Sequence, residues 1–333
     1  MLGRARLVGF VITIAILAYG LWRLDLGEVA VGLRRADYRL LPFSAGATLG
    51  GYLLRTARWR LILAPAQVLP VKTLYGPLMI GFMANNLLPA RMGEFVRAYS
   101  LNRVAGTPKT LGLSTVVLER VFDGLTLVAV LLVLALFRAL PAFGAPLAYV
   151  AGALFAVATL GAWLMISNEA LALRLVRAVT SPFPEALSEL AERKAQSFAA
   201  GLRSLRRPRT LLLIAALSAT VWACEALSYY LLLLGFGDTL GLAAALPAAF
   251  FLTVVINLGI MIPSAPGYVG TFEGAGVSAL APFGVAAERA LALTIVAHAV
   301  QWLLVTGIGV ALLARAGMSL RGATAAPRPV ERA

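Results

Sequence analysis

The chain has 333 residues, 60% of them hydrophobic and only 13% charged, with a mean hydropathy of +0.87 and a formal net charge of +14. A soluble domain carries about 25% charged residues, so the deficit excludes an ordinary water-soluble fold and makes a bilayer the expected solvent. A single cysteine, Cys224, and a single histidine, His298, exclude an intrachain disulfide and leave no basis for a Cys- or His-rich metal centre or a resident cofactor. The positive charge, with no basic run interleaved with aromatics, reads as cytoplasmic loop charge rather than as a nucleic-acid surface.

The first predicted element is the apolar run 7–22, "LVGFVITIAILAYGLW". Spanning a hydrocarbon core takes about 20 such residues, and the following "RLDLGEVAVG" offers no small-residue cleavage site, so this is an uncleaved first helix. A second span covers 40–59, where Gly46 and Gly50 at GxxxG spacing predict close helix packing. Region 75–100 is apolar but interrupted by "NNLLPARMGE", which brings Asn85, Asn86, Pro89, Arg91, Gly93 and Glu94 into one decapeptide. The third span, 110–137, carries Glu119, Arg120 and Asp123 roughly 15–21 Å along the helix from Lys109, near the middle of a ~30 Å core. Each such charge costs about 2.5–3.5 kcal/mol on insertion scales. Arg120 and Asp123 are placed to pair at i,i+3. Glu119 and Asp123 at i,i+4 crowd one face and favour a cation or a shared proton. The trio is either a structural ion pair between helices or a polar cavity wall.

A fourth span is expected at 147–166, and "SPFPEALSELAERKAQSFAAGLRSLRRPR" (181–209) at near-helical spacing of its leucines and phenylalanine reads as an amphipathic surface helix or a solvated linker helix. The fifth span, 210–235, holds Glu225, whose charge needs a partner or a proton, with Trp222 and Tyr229 nearby. Region 243–281 is broken by "NLGIMIPSAPGYVGTFEGAG" (257–276), and the sixth span, 289–314, contains His298 and Gln301, residues that commonly bond a neighbouring helix. The chain from Gly317 is rich in Pro, Ala and Arg and is expected to be a disordered tail after a transmembrane domain of residues 1–316.

The basic stretches 55–72, 97–109 and 167–209 and the C-terminal tail predict cytoplasmic N- and C-termini by the positive-inside rule; segment 23–39, with four arginines, conflicts with that assignment. The bookkeeping closes if 75–100 enters and leaves on the cytoplasmic side and 243–281 on the other. The expected fold is therefore all-α, with about six full spans and two re-entrant hairpins in an inverted-repeat-like arrangement, which puts a binding site near the midplane. Non-helical backbone survives at that depth only inside protein or beside water. Pro89, Pro263 and Pro266 break the helices, while Gly93, Gly267 and Gly270 permit tight turns and close ligand approach. A half-helix starting after such a turn suits a phosphate or carboxylate.

Three segments, "NNLLPARMGEFVRAYSL" (85–101), "LERVFDGL" (118–125) and "IPSAPGYVGTFEGAG" (262–276), resemble in order the signatures of the lysylphosphatidylglycerol synthase transmembrane-region family, the flippase-like integral membrane proteins. The resemblance runs over nearly the whole chain. It implies an inner-membrane protein that moves a phospholipid or polyprenyl-linked lipid between leaflets. The residues that match are Asn86, Pro89, Arg91, Gly93, Glu94, Glu119, Arg120, Asp123, Pro263, Pro266, Gly267, Gly270 and Glu273. The soluble aminoacyl-transferase domain of the best-known relatives has no counterpart in these 333 residues, so the synthase activity does not carry over.

The expected function is that of a lipid flippase and not an enzyme. Arg91 and the half-helix N-termini hold an anionic headgroup, and Glu94 and Glu273 take a cationic moiety or a coupling proton. Arg120 neutralises Glu119 and Asp123 or contacts phosphate. Asn85 and Glu225 complete the binding set. The alternatives are an intramembrane headgroup-modifying enzyme, or a non-transporting partner of a lipid or envelope synthase. Expected partners are the lipid itself, a second copy in a homodimer or a separately encoded lipid-modifying enzyme.

Overall fold

In hydrocarbon every backbone polar group must be satisfied within its own segment, so Leu-, Ala- and Val-rich runs become helices. A computed structural model describes residues 2–88, 92–136, 168–204, 208–237, 240–261 and 264–320, with isolated positions 153, 157, 160, 161 and 164. It is all α-helical. The expected fourth span and the tail beyond Leu320 lie outside the described residues.

The helices, in order, are α1 (Leu2–Arg23), α2 (Leu26–Arg35), α3 (Leu41–Leu63), α4 (Val71–Leu87), α5 (Gly93–Ala105), α6 (Lys109–Leu136), α7 (Glu169–Thr180), α8 (Glu185–Ser204), α9 (Pro208–Gly235), α10 (Gly241–Gly259), α11 (Thr271–Leu280) and α12 (Ala287–Arg315). Among the described residues α9, α10 and α12 are long and apolar enough to cross a membrane. α3 and α6 reach about 34 and 42 Å at 1.5 Å per residue, and Arg55, Arg58, Glu119 and Asp123 within them are buried.

α3 and α9 form an antiparallel pair. The Asp37 N–H donates to the Gly235 carbonyl (2.7 Å), Ser44 and Ser228 share a hydrogen bond (2.7 Å), and Arg58 donates to Ser218 (2.9 Å). An added Cβ on Gly51 would lie 3.6 Å from Cys224, whereas Gly46 and Gly50 have nothing within 4 Å. The close approach is thus made by Gly51, and the GxxxG pair faces away from it.

The remaining helices are placed by this pair. At the end where α3 begins, Val29 of α2 packs with Leu134 of α6, Phe236 after α9 and Val285 before α12. At the other end Ile62 of α3, Ala172 of α7 and Ile214 of α9 pack together. α4 and α5 make one hairpin and α10 and α11 another. Gln67, before the first, donates to the Ala105 carbonyl (3.2 Å) and accepts from Thr107 (2.6 Å), so both ends of that hairpin are tied at the α7 end. Both ends of the second lie at the α2 end, where Leu240, Ala245, Val285 and Arg289 line one apolar cavity of about 250 Å³. The two hairpins therefore enter the bundle from opposite ends.

Two local readings differ from the sequence expectation, and a third gains a neighbouring helix. Segment 23–39 is not a simple loop: Asp25 caps α2, accepting from the Gly27 N–H at 2.7 Å, and Val29 alone on that helix is buried. Arg34 and Arg35 sit exposed in its last turn, where a helix C-terminus favours cations and long side chains reach a polar interface. Segment 181–209 holds one helix, α8 (Glu185–Ser204), and a further helix, α7, precedes it. The chain turns at Ser181–Pro184, where Pro184 disfavours helical geometry before it, and α7 and α8 are joined by the Arg177–Glu192 ion pair. The guanidinium's hydrogen bond holds the Glu192 carboxyl below the ordinary carboxylate range. Finally, Met318 and Leu320 in the expected tail pack against Ile80 and Met83 of α4.

Candidate functional site

The first hairpin turns between Leu87 and Gly93. Gly93 is required there: a Cβ would stand 2.0 Å from the Gly81 carbonyl oxygen and 2.5 Å from Asn85 Oδ1. Its N–H instead donates to Asn85 Oδ1 at 2.8 Å, which starts α5, and Asn86 Nδ2 donates to Thr306 of α12 at 3.0 Å. The second hairpin turns through a short 3-10 turn, Pro266–Tyr268, in which Gly267 (φ 80°) and Tyr268 (φ 61°) are left-handed. Gly270 (φ 85°) then precedes α11, and its N–H donates to Glu273 Oε2 at 2.7 Å. Thr13 of α1 braces the turn, donating to the Val269 carbonyl and accepting from the Ala265 N–H. The two tips meet. Gly267 lies against the Asn86 carbonyl and the Trp302 indole, at 3.5 and 3.3 Å from where its Cβ would be.

Beside this junction runs a band of buried ion pairs. Arg58 (1% exposed) sits 2.7 Å from Asp123 and 3.8 Å from Glu119. Arg97 reaches Glu119 at 2.6 Å while its guanidinium lies 3.6 Å above the Trp59 ring. Arg55 reaches Glu225 at 2.8 Å and Asp123 at 3.8 Å, and stacks over Trp222 at 4.8 Å. Arg120 joins Glu94 at 3.1 Å and Asp123 at 3.5 Å. Four guanidiniums thus face four carboxylates, which offsets the cost of charge in a low dielectric. The outermost pair, Arg120–Glu94, has side chains 35% and 29% exposed. On the other side of the junction His298 Nδ1 lies 2.6 Å from Glu273 Oε1, and its ring stacks on Phe272 with centroids 4.3 Å apart.

Between the tips and the ion pairs is a cavity of about 90 Å³. Its wall includes Asn85, Asn86, Arg55, Arg120, Glu225, Asn257, His298 and Gln301, with the rings of Tyr52, Phe82, Trp222, Tyr268 and Trp302. Asn257 and Gln301 donate to Glu225 Oε1 at 3.4 and 3.5 Å. The cavity at the α2 end is larger, and Arg289 is the one charged residue among its mainly apolar lining. Of these two, the central one gathers convergent polar groups, which marks the candidate site.

The residues singled out in the sequence divide as follows. Asn85, Asn86, Arg120 and Glu225 line the cavity; Gly267 sits at its edge. Glu94 and Glu273 stand one contact behind the wall, holding Arg120 and His298. Glu119 and Asp123 are buried in the ion-pair band, and arginines of α3 and α5 take the place of the cation or shared proton considered for them. Gly270 faces α1 near Thr13 and Ile16. Pro266 opens the 3-10 turn. Pro89, Arg91 and Pro263 lie outside the described residues. In sequence Arg55, Arg58 and Arg97 read as basic flanks rather than as site residues. Burial of all three removes them from any loop charge. The signal for two of them was present in "GYLLRTARWRLIL", where Arg55 and Arg58 stand at i,i+3 inside an apolar helix.

The family model for the lysylphosphatidylglycerol synthase transmembrane region matches residues 6–309. The chain is 30% identical over 323 residues to glycosyltransferase AglD of Haloferax volcanii, covering 88% of this chain and 51% of that protein, so it spans about half that relative's length. Two UPF0104 membrane proteins of Methanothermobacter thermautotrophicus are 25% and 27% identical over 314 and 280 residues, covering 88% and 77% of this chain and 90% and 78% of theirs. No solved structure gave a match.

Proposed function

The chain belongs to the lysylphosphatidylglycerol synthase transmembrane-region family and is a multi-pass membrane protein; from that premise we propose that it carries a lipid between the leaflets of the cell membrane. The observation that supports this reading most is the meeting of two hairpins, entering from opposite ends, at a polar cavity flanked by Arg55 and Arg120. A headgroup passing through the midplane needs a desolvated polar chamber that opens alternately to each side, and a pair of opposed half-length hairpins is suited to form the two gates. In this scheme Arg120, the most exposed guanidinium of the band, keeps Glu94 and Asp123 as partners and turns its remaining N–H groups to the lipid phosphate as a charge-assisted donor. Glu273 holds the start of α11 and His298 together, linking the second gate to the cavity wall. The proposed orientation keeps the chain termini and α7–α8 in the cytoplasm. A homodimer or a separately encoded lipid-modifying enzyme is the proposed partner, and no chemical conversion is assigned to the chain itself.

The test is leaflet exchange of fluorescent phospholipids in liposomes holding the purified protein. We expect exchange well above that of empty liposomes, and its loss in Glu273→Gln with the folded protein still recovered at full yield. Absence of exchange for every lipid tried overturns the reading. The Haloferax relative is named a glycosyltransferase, which favours a second reading as a headgroup-modifying enzyme, and a new lipid product by mass spectrometry in the same liposomes would establish it.

A further inference from the structure

The chemistry of the cavity wall bears on which headgroup fits. Five carboxylates lie in or just behind it: Glu94, Glu119, Asp123, Glu225 and Glu273. Each is engaged by a guanidinium or by the imidazole. The one that reaches the cavity, Glu225, is further covered on its second oxygen by the amides of Asn257 and Gln301. An ammonium group entering here therefore meets Arg55 and Arg120 without a free carboxylate to receive it, and like charges brought together in a desolvated site repel.

The unused hydrogen-bonding capacity is of another kind. Asn86, Asn257 and Gln301 spend their amide N–H groups on Thr306, Thr253 and Glu225. Their carbonyl oxygens have no partner among the described residues. Trp222 lines the same wall, and its buried indole N–H has no partner among the described residues. A wall that carries neutral acceptors and a neutral donor matches hydroxyl groups, which donate and accept at once. A buried donor left unmade is costly, so a ligand that completes it gains affinity. Flat aromatic faces beside these groups suit the apolar face of a ring compound.

We propose that this cavity takes a phosphate-linked headgroup rich in hydroxyls, a sugar or polyol phosphate, and discriminates against an aminoacylated headgroup. The proposal rests on the translocation reading for how the headgroup arrives, but not for how the wall recognises it.

The experiment has two arms. In liposomes, exchange is compared for three lipids with identical chains: phosphatidylinositol, phosphatidylglycerol and lysyl-phosphatidylglycerol. In detergent, quenching of intrinsic tryptophan fluorescence is titrated with the soluble compounds inositol phosphate, glycerol 3-phosphate and lysine methyl ester. Each headgroup hydrogen bond contributes enough for about a fivefold preference, so the inositol lipid should exchange at least about fivefold faster than the lysyl lipid. Trp222→Phe keeps the ring and removes the N–H, and should shrink that ratio by about fivefold. Equal or faster exchange of the lysyl lipid overturns the proposal, and this comparison needs only the wild-type protein. An unchanged ratio in Trp222→Phe overturns the role of the indole. Quenching by inositol phosphate but not by lysine methyl ester, with no lipid exchange, upholds the recognition and overturns translocation. Soluble inositol phosphate binding as tightly as the lipid headgroup assigns the site to a free sugar phosphate and overturns the lipid source.

Discussion

Arg58 illustrates how much of the site is decided by single side chains. Its guanidinium is 1% exposed and joins Asp123, Glu119 and Ser218, so three helices meet on one residue. Removing one partner of a buried pair leaves a charge without compensation, at a cost of about 3–5 kcal/mol. Arg58→Met should therefore lower the thermal midpoint of the detergent-solubilised protein sharply, and adding Asp123→Asn should restore part of the loss. An unchanged midpoint in Arg58→Met would remove this arginine from the structural frame. The acidic side of the band was legible in sequence, because Glu119, Arg120 and Asp123 interrupt an apolar helix at midplane depth. The basic side was not. Arginine near a helix end reads equally as loop charge, and only the tertiary pairing of α3 and α5 with α6 turns it inward.

At the scale of elements, the hairpins depend on glycines whose neighbours leave no room. Gly93→Ala places a methyl 2.0 Å from the Gly81 carbonyl oxygen, and overpacking of this kind costs about 1–3 kcal/mol. We expect Gly93→Ala to separate α4 from α5, lowering both stability and lipid exchange. Gly46→Ala, with nothing within 4 Å of the added carbon, should stay within about 0.5 kcal/mol of wild type. A thermal ramp on both variants checks the contrast, and equal midpoints would contradict the tight packing of the first tip. Proline and glycine spacing made both breaks legible. What it did not reveal was the partner of each tip, because nothing in residues 85–94 or 257–276 specifies that Gly267 rests on Asn86 and Trp302. Nor could it say which of Gly46, Gly50 and Gly51 faces α9, since one residue's shift turns a helix face by about 100°.

At the scale of the whole molecule, the ends of the two hairpins lie at opposite ends of the bundle. With Cys224→Ser as background, single cysteines at Val68 and Lys109 should react with an impermeant thiol reagent from one side of a vesicle. Cysteines at Leu242 and Ala281 should react from the other. All four native residues are exposed. Labelling of Val68 and Lys109 from different sides would make the first hairpin a spanning pair and remove the basis for opposed gates. The overall class and the order of elements were legible from hydropathy and loop charge. The burial of Arg55, Arg58 and Arg97 was not, and it takes three cations out of the loop charge that bears on orientation.

That same burial has a consequence for biosynthesis. Arg58 precedes Asp123 by 65 residues and Arg55 precedes Glu225 by 170, so during translation both buried cations of α3 leave the ribosome well before their counterions exist. Each costs about 2.5–3.5 kcal/mol at the bilayer centre while alone. α3 should therefore stay at the insertion machinery, or beside a chaperone, until α6 is made. Nascent chains stopped before Glu119 should show α3 weakly inserted in a glycosylation-mapping assay, and chains extended past Leu136 should show it fully inserted. Equal insertion at both lengths would mean that α3 enters without waiting for its acids.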